Sequence, residues 1–122
     1  MKGCAAYMFI NLEETSVVVI SGRTDLRKGI DSLAYLIQDE YQLDPFSTQV
    51  FLFCGSKRDR FKALYWDGKG FCLFYRRFDN GKLKWPNTEN EAITLSSIEL
   101  DRLLNGFDIY APIQEAKVGN FY

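Results

Sequence analysis

The stretch from Gln49 to Pro86 constrains the fold of this chain more than any other part. It opens with five apolar residues, VFLFC, from Val50 to Cys54. An uninterrupted apolar run of this length reads as a central strand covered on both faces. Two alternating segments follow, Arg60–Trp66 and Phe71–Asp79, joined by the turn-forming Asp67-Gly68-Lys69-Gly70. Asn80-Gly81 then suits a type I′ turn, with Lys82–Trp85 as a return strand that Pro86 ends. A four-residue first loop and a two-residue second loop fix the register. Trp66 then opposes Phe71, Lys62 opposes Tyr75, Phe61 opposes Arg76 and Arg60 opposes Arg77. On the other side Arg77 opposes Lys84 and Arg76 opposes Trp85.

Side chains alternate across a strand. One face therefore collects Phe61, Ala63, Tyr65, Cys72, Phe74, Phe78, Leu83 and Trp85, with Arg76 as the odd member, and reads as core. The other collects Arg60, Lys62, Arg77, Lys82 and Lys84 around Tyr75, with Trp66, Phe71, Leu64 and Leu73 towards the far end. Like charges directly opposed destabilise a sheet by a few tenths to about 1 kcal/mol per pair. The row Arg60, Arg77, Lys84 thus has two readings: an anionic partner such as phosphate completes it, or acids from elsewhere in the chain quench it. Tyr75 or Trp66 could stack on an unpaired base.

Around this centre the pattern predicts a buried strand at Ser16–Ile20 and then a helix. Leu26, Ile30, Leu33, Ile37 and Tyr41 follow helical spacing. Thr24 or Asp25 is placed to cap the start, and Pro45 sets a limit near Leu43. A second helix is announced by a capping box, Ser96 with Glu99, and a Leu95–Leu100 staple. Its stripe is Leu100, Leu103, Leu104 and Phe107, and Gly106 suits the stop. The expected fold is a single α+β domain: an antiparallel meander of about four or five strands with two helices packed on one face. Its bounds are residues 16–108, with an N-terminal extension at 1–15 and a C-terminal tail at 109–122.

The chain has no histidine. This removes the commonest general acid-base group and the usual hydrolytic triads together, along with most catalytic zinc sites. The three cysteines, Cys4, Cys54 and Cys72, are scattered, without a C-x-x-C pair. That argues against a disulfide framework or a structural zinc and for a reducing cytoplasm; Cys54 and Cys72 read as small core residues. No apolar run approaches the roughly 18 residues of a membrane helix, and the first residues do not read as a signal peptide. Asp25, Asp67 and Glu91 could be imagined as metal-holding carboxylates, but Asp67 is already expected on turn grounds. No catalytic residue, metal ligand or cofactor is assigned.

Charge is where function shows. The net charge is −1, yet Lys57 to Trp85 holds nine Lys/Arg against three Asp. This asymmetry points the middle of the chain to an anionic partner. A second cationic group, Arg23, Arg27 and Lys28, precedes the first expected helix. Cations there oppose the helix dipole but would help to hold an anion. Local pairing with Asp25 or Asp31 is the plain alternative. The P-loop pattern is absent.

Several segments together resemble a known family: TDLRKGIDSL (Thr24–Leu33), LDPFS (Leu43–Ser47), Val50–Phe78, KWP (Lys84–Pro86) and Thr94–Asp108. The sequence is similar over Val17–Asp108 to the TnpB, or second-reading-frame, accessory proteins of insertion sequence 66 elements. These are distinct from the RNA-guided nucleases that share the name TnpB. The resemblance implies a non-enzymatic protein that serves a separate transposase. The expected partners are that transposase and DNA, with no membrane; the alternative is a pure protein–protein adaptor or oligomerising scaffold of the transposition complex without DNA contact, and the oligomeric state is left open. The cationic positions assigned to nucleic acid are Arg23, Arg27, Lys28, Arg58, Arg60, Lys62, Arg77, Lys82 and Lys84. Arg76 is a matching position where contacts are also to be sought. Tyr65, Trp66, Phe71 and Tyr75 are assigned to a partner.

Overall fold

A computed structural model describes residues 15–88 and 91–106. Five strands form one sheet: β1 (Val17–Ile20), β2 (Val50–Cys54), β3 (Arg60–Trp66), β4 (Phe71–Arg77) and β5 (Ala92–Leu95). Two helices accompany it, α1 (Ile30–Tyr41) between β1 and β2, and α2 (Ser97–Leu104) after β5. The strand order is β4-β3-β2-β1-β5. The expected α+β class holds, and the β3–β4 register runs from Trp66 opposite Phe71 to Arg60 opposite Arg77, as loop lengths require.

Three features differ from the expected meander. First, the sheet is mixed, because β1 and β2 are parallel. A helix between two adjacent strands carries the chain back to its starting end, so the second strand runs alongside the first. Second, the helices cover opposite faces rather than one. Leu33 and Ile37 of α1 share a core with Val18, Ile20, Phe51, Phe53 and Leu64. Leu100 and Leu103 of α2 lie in the other core with Val17, Val19, Val50, Leu52 and Cys54. Each face of β2 thus needs apolar residues, which explains its unbroken VFLFC; every residue of it is buried. Burying each of Phe51 and Phe53 contributes about 2–3 kcal/mol.

Third, residues 82–85 form no strand. Trp85 and Leu83 are buried in the α2-side core instead. The Trp85 indole donates to the Ile20 carbonyl at 3.0 Å, and the Leu83 amide donates to the Arg58 carbonyl at 2.7 Å. Burial of a large indole outweighs the local preference of Asn80-Gly81 for a two-residue hairpin. Gly81 keeps its positive φ of 80° in the bend. The outer partner of β1 is β5, which joins it antiparallel from Val17–Leu95 to Ile20–Ala92.

Helix α1 starts at Ile30, and its N-cap is Gly29 without a side-chain cap, so neither Thr24 nor Asp25 caps it. Asp25 instead turns the chain before the helix, accepting from the Arg27 amide at 3.0 Å. The capping box of α2 is present, with Ser96 Oγ accepting from Glu99 N at 3.1 Å and Glu99 Oε1 accepting from Ser96 N at 2.9 Å. Phe107 of its expected stripe, like Cys4 and the expected N-terminal extension and tail, lies outside the described residues, apart from Thr15. Cys54 is buried, but Cys72 is exposed. The α2-side core reaches Phe74 on β4 and stops short of Cys72.

A candidate nucleic-acid interface

The strand directions decide which loops meet. β1 and β2 end together, β3 and β5 begin there, and β4 ends there. One end of the sheet therefore carries the loop 21–29, the loop 55–59, the segment 78–88 and Glu91. Backbone hydrogen bonds stitch these three together. Thr24 N donates to Cys54 O at 2.8 Å, Gly22 N to Pro86 O at 2.8 Å, and Phe78 N to Asp59 O at 2.7 Å. The Ser21 hydroxyl donates to Thr88 O and to Glu91 O.

Most of the cations singled out in the sequence stand at this end, but not as one row. Arg60 and Arg77 are opposed, whereas Lys84 lies in no strand and does not face Arg77 across the sheet. Arg60 is clasped by its neighbour Asp59, Nε to Oδ1 at 2.8 Å and Nη2 to Oδ2 at 3.1 Å, and it also reaches the Tyr75 hydroxyl at 3.5 Å. The pair holds the Asp59 carboxyl below its ordinary range and raises the guanidinium. Arg27 forms a two-pronged pair with Asp25, Nε to Oδ1 at 2.9 Å and Nη2 to Oδ2 at 2.8 Å. Hydrogen bonds from Arg27 place the Asp25 carboxyl well below the usual carboxylate range. Arg77 lies 3.9 Å from Asp79, a loose surface pair.

Two expected phosphate ligands are turned inward. Arg58 adopts a left-handed backbone, φ 61°. Its Nη1 donates to Gly22 O at 2.9 Å and its Nη2 to Asn87 Oδ1 at 2.6 Å, tying the three loops. Lys62 Nζ donates to the Lys28 carbonyl at 3.0 Å, so it secures the approach to α1. Arg76 lies 4.8 Å over the Phe78 ring.

The cations without an ion pair among the described residues are more telling. Arg23, Lys28 and Arg58 line a cleft of about 710 Å³, to which Asp25 and Glu40 also contribute. Arg23 also lines an adjoining cleft of about 640 Å³ with Arg27, Lys57 and Arg60. Lys82 and Lys84 are exposed on either side of buried Leu83. The uncapped start of α1 follows Lys28 directly, and its first-turn amides favour negative charge, against which Asp31 stands as a partial counterweight. Lys57 was not singled out from the sequence. Its signal is that it follows β2, at the carboxyl end of parallel strands, where open α/β sheets collect their ligands.

The opposite end of the sheet is aromatic. Trp66 and Phe71 flank the β3–β4 turn with ring centroids 4.9 Å apart. Phe46, from the loop after α1, meets Trp66 edge-on at 4.9 Å and Phe71 at 5.1 Å while 52% exposed. Phe46 was also not singled out; it follows a proline in a loop and carries no periodic signal. Tyr65 points to the α2-side core, while Tyr75 is 49% exposed. Asp67 closes the β3–β4 turn by accepting from Lys69 N at 2.8 Å and Gly70 N at 2.9 Å. It is thereby far from Asp25 and Glu91, and no cluster of three potential metal ligands occurs among the described residues. No helix among them is long and apolar enough to cross a membrane.

Comparison with known proteins agrees with the resemblance seen in the sequence. The family model described as IS66 Orf2 like protein matches residues 15–114. The uncharacterized protein y4hO of Sinorhizobium fredii is 38% identical over 96 residues, covering 79% of this chain and 84% of that one. The uncharacterized protein y4jC of the same organism is 29% identical over 92 residues, covering 75% and 79% respectively. No solved structure matches the chain.

Proposed function

The chain belongs to the IS66 Orf2-like family, and from that premise we propose that it assists transposition by holding DNA phosphates at the cationic end of its sheet. Membership implies an accessory part in the movement of an insertion sequence; the family is not known as one of enzymes. The observation that carries the DNA reading is the meeting of three loops over which Arg23, Lys28 and Lys57 remain without ion pairs among the described residues. Phosphate contacts by such side chains are independent of sequence and release counterions, so binding falls steeply with salt. The pairing of Arg27 and Arg60 with Asp25 and Asp59 narrows the interface to fewer cations than the sequence alone offers.

The test is a titration of duplex element ends with full-length protein at several salt concentrations. Arg23→Ala and Lys57→Ala each lower the salt slope by about one and weaken binding equally across sequences. Lys69→Ala, at the other end of the sheet, leaves both unchanged. No binding by wild-type protein at low salt refutes the reading.

A second reading rests on Phe46, half-exposed against Trp66 and Phe71. Exposed aromatic clusters mark protein contacts, and the partner supplied by the family's role is the transposase of the same element. Co-purification that survives nuclease and is lost in Phe46→Ser supports it. Failure of wild-type protein to co-purify counts against it.

A further inference from the structure

We propose that β4 is the seam of a symmetric homodimer, pairing antiparallel with β4 of a second copy. This goes beyond the DNA reading and does not depend on it. The strand lies at the end of the sheet order and pairs only with β3 among the described residues. It runs seven residues, FCLFYRR, without a proline or bulge. Open edges of that length are normally blunted, because their unpaired backbone groups invite another strand.

Two hydrogen bonds fix the backbone phase of β4. Phe78 N bonds to Asp59 O, and Asp67 N to Gly70 O, at the two ends of the β3–β4 ladder. Hydrogen-bonded residues alternate along an antiparallel pair. Cys72, Phe74 and Arg76 therefore bond inward to β3, and Phe71, Leu73, Tyr75 and Arg77 turn their N–H and C=O groups outward. Self-pairing centred on Phe74 uses all four outward residues. Phe71 then opposes Arg77 of the second copy, and Leu73 opposes Tyr75, giving about eight interchain hydrogen bonds.

Charge is compatible with the same register. Each arginine of β4 faces Phe71 or Cys72 of the other copy, never another cation. Sliding the copies towards their arginine ends shortens the ladder and draws Arg76 towards its own symmetry mate, which like-charge repulsion disfavours. Continued past the strand, the centred register brings the Lys69 turn of one copy towards Asp79 of the other. The Asp79 side chain is 86% exposed and only loosely engaged by Arg77. Tyr75, 49% exposed, lies on the seam itself, and Tyr35, 65% exposed, stands on α1, which packs over β3 and β4.

Sedimentation of the full chain without DNA, from micromolar to millimolar concentration, tests the seam. The expected result is a reversible doubling of mass. Tyr75→Pro removes an outward N–H and leaves the β3 ladder intact, so it yields a monomer with an unchanged circular dichroism spectrum. Should that variant unfold, a charge cycle on exposed side chains decides. Asp79→Lys weakens the dimer by about tenfold, since the contact occurs twice across the axis, and Lys69→Asp in the same chain restores it. A wild-type monomer throughout the range overturns the proposal, as does a dimer indifferent to Tyr75→Pro or, where that variant unfolds, to Asp79→Lys. A monomer whose Leu73 and Tyr75 amides become protected from exchange only when transposase is added also overturns it, and assigns the edge to that protein.

Discussion

Replacing Arg58 separates a structural tie from a phosphate ligand. Its guanidinium donates to Gly22 O in a part-buried setting and to Asn87 Oδ1 at the surface. A net bond from a charged donor to a part-buried carbonyl is worth about 1.5 kcal/mol, and an exposed one about 0.5. Arg58→Ala should therefore destabilise the fold by about 2 kcal/mol. The left-handed φ of 61° is retained in that variant. Arg58→Gly loses the same two bonds but fits that backbone, regaining about 1 kcal/mol, so it should cost about 1 kcal/mol. Arg58→Lys, a single ammonium that cannot fork to both acceptors, should fall between wild type and Ala. Urea denaturation with linear extrapolation resolves these differences. The salt slope of DNA binding provides the second readout. With its donors engaged by protein acceptors, Arg58→Ala should leave the slope unchanged, while Arg23→Ala lowers it. If Arg58→Ala stays within about 0.5 kcal/mol of wild type and lowers the slope as Arg23→Ala does, the loop-tying role is wrong and Arg58 is a phosphate ligand.

Two further outcomes follow from buried and titrating groups. Trp85→Phe leaves the Ile20 carbonyl without its indole donor in a buried setting and should cost about 2 kcal/mol in urea unfolding. Trp85→Ala, which also opens a cavity, should cost about 3–5 kcal/mol. Asp25, Asp59 and Asp67 all have folded pKa values lowered, the first two by arginine side chains and the third by the Lys69 and Gly70 amides. Their stabilisation is complete above the unfolded aspartate value of about 3.9 and is lost as pH falls through the lower folded values. Unfolding midpoints in urea should therefore be flat from pH 7 to about 5 and drop below about 4, with a shallower drop in Asp67→Asn; equal acid sensitivity in that variant would show that the turn carboxylate contributes nothing.

Much of this protein was written locally. The VFLFC run, the Asp67–Gly70 turn and the Ser96–Glu99 box each specify their element through contacts within a few residues, and the β3–β4 register follows from loop length alone. The cationic excess of the middle segment and the family resemblance were equally legible in the order of residues. What local signals could not set was the company each element keeps. Asn80-Gly81 carries a hairpin signal, but the indole of Trp85 gains more by burial against the α2-side core than its segment gains by pairing with β4. That choice leaves β4 at an edge and leaves Lys84 out of the cross-strand row with Arg60 and Arg77. The parallel pairing of β1 and β2 gathers loops far apart in sequence, and only there does it emerge that Asp59 and Asp25 quench two arginines while Arg23, Lys28 and Lys57 stand without ion pairs among the described residues. Short-range preferences determine strands, turns and caps; burial of large side chains and the direction of a crossover determine which charges share a surface.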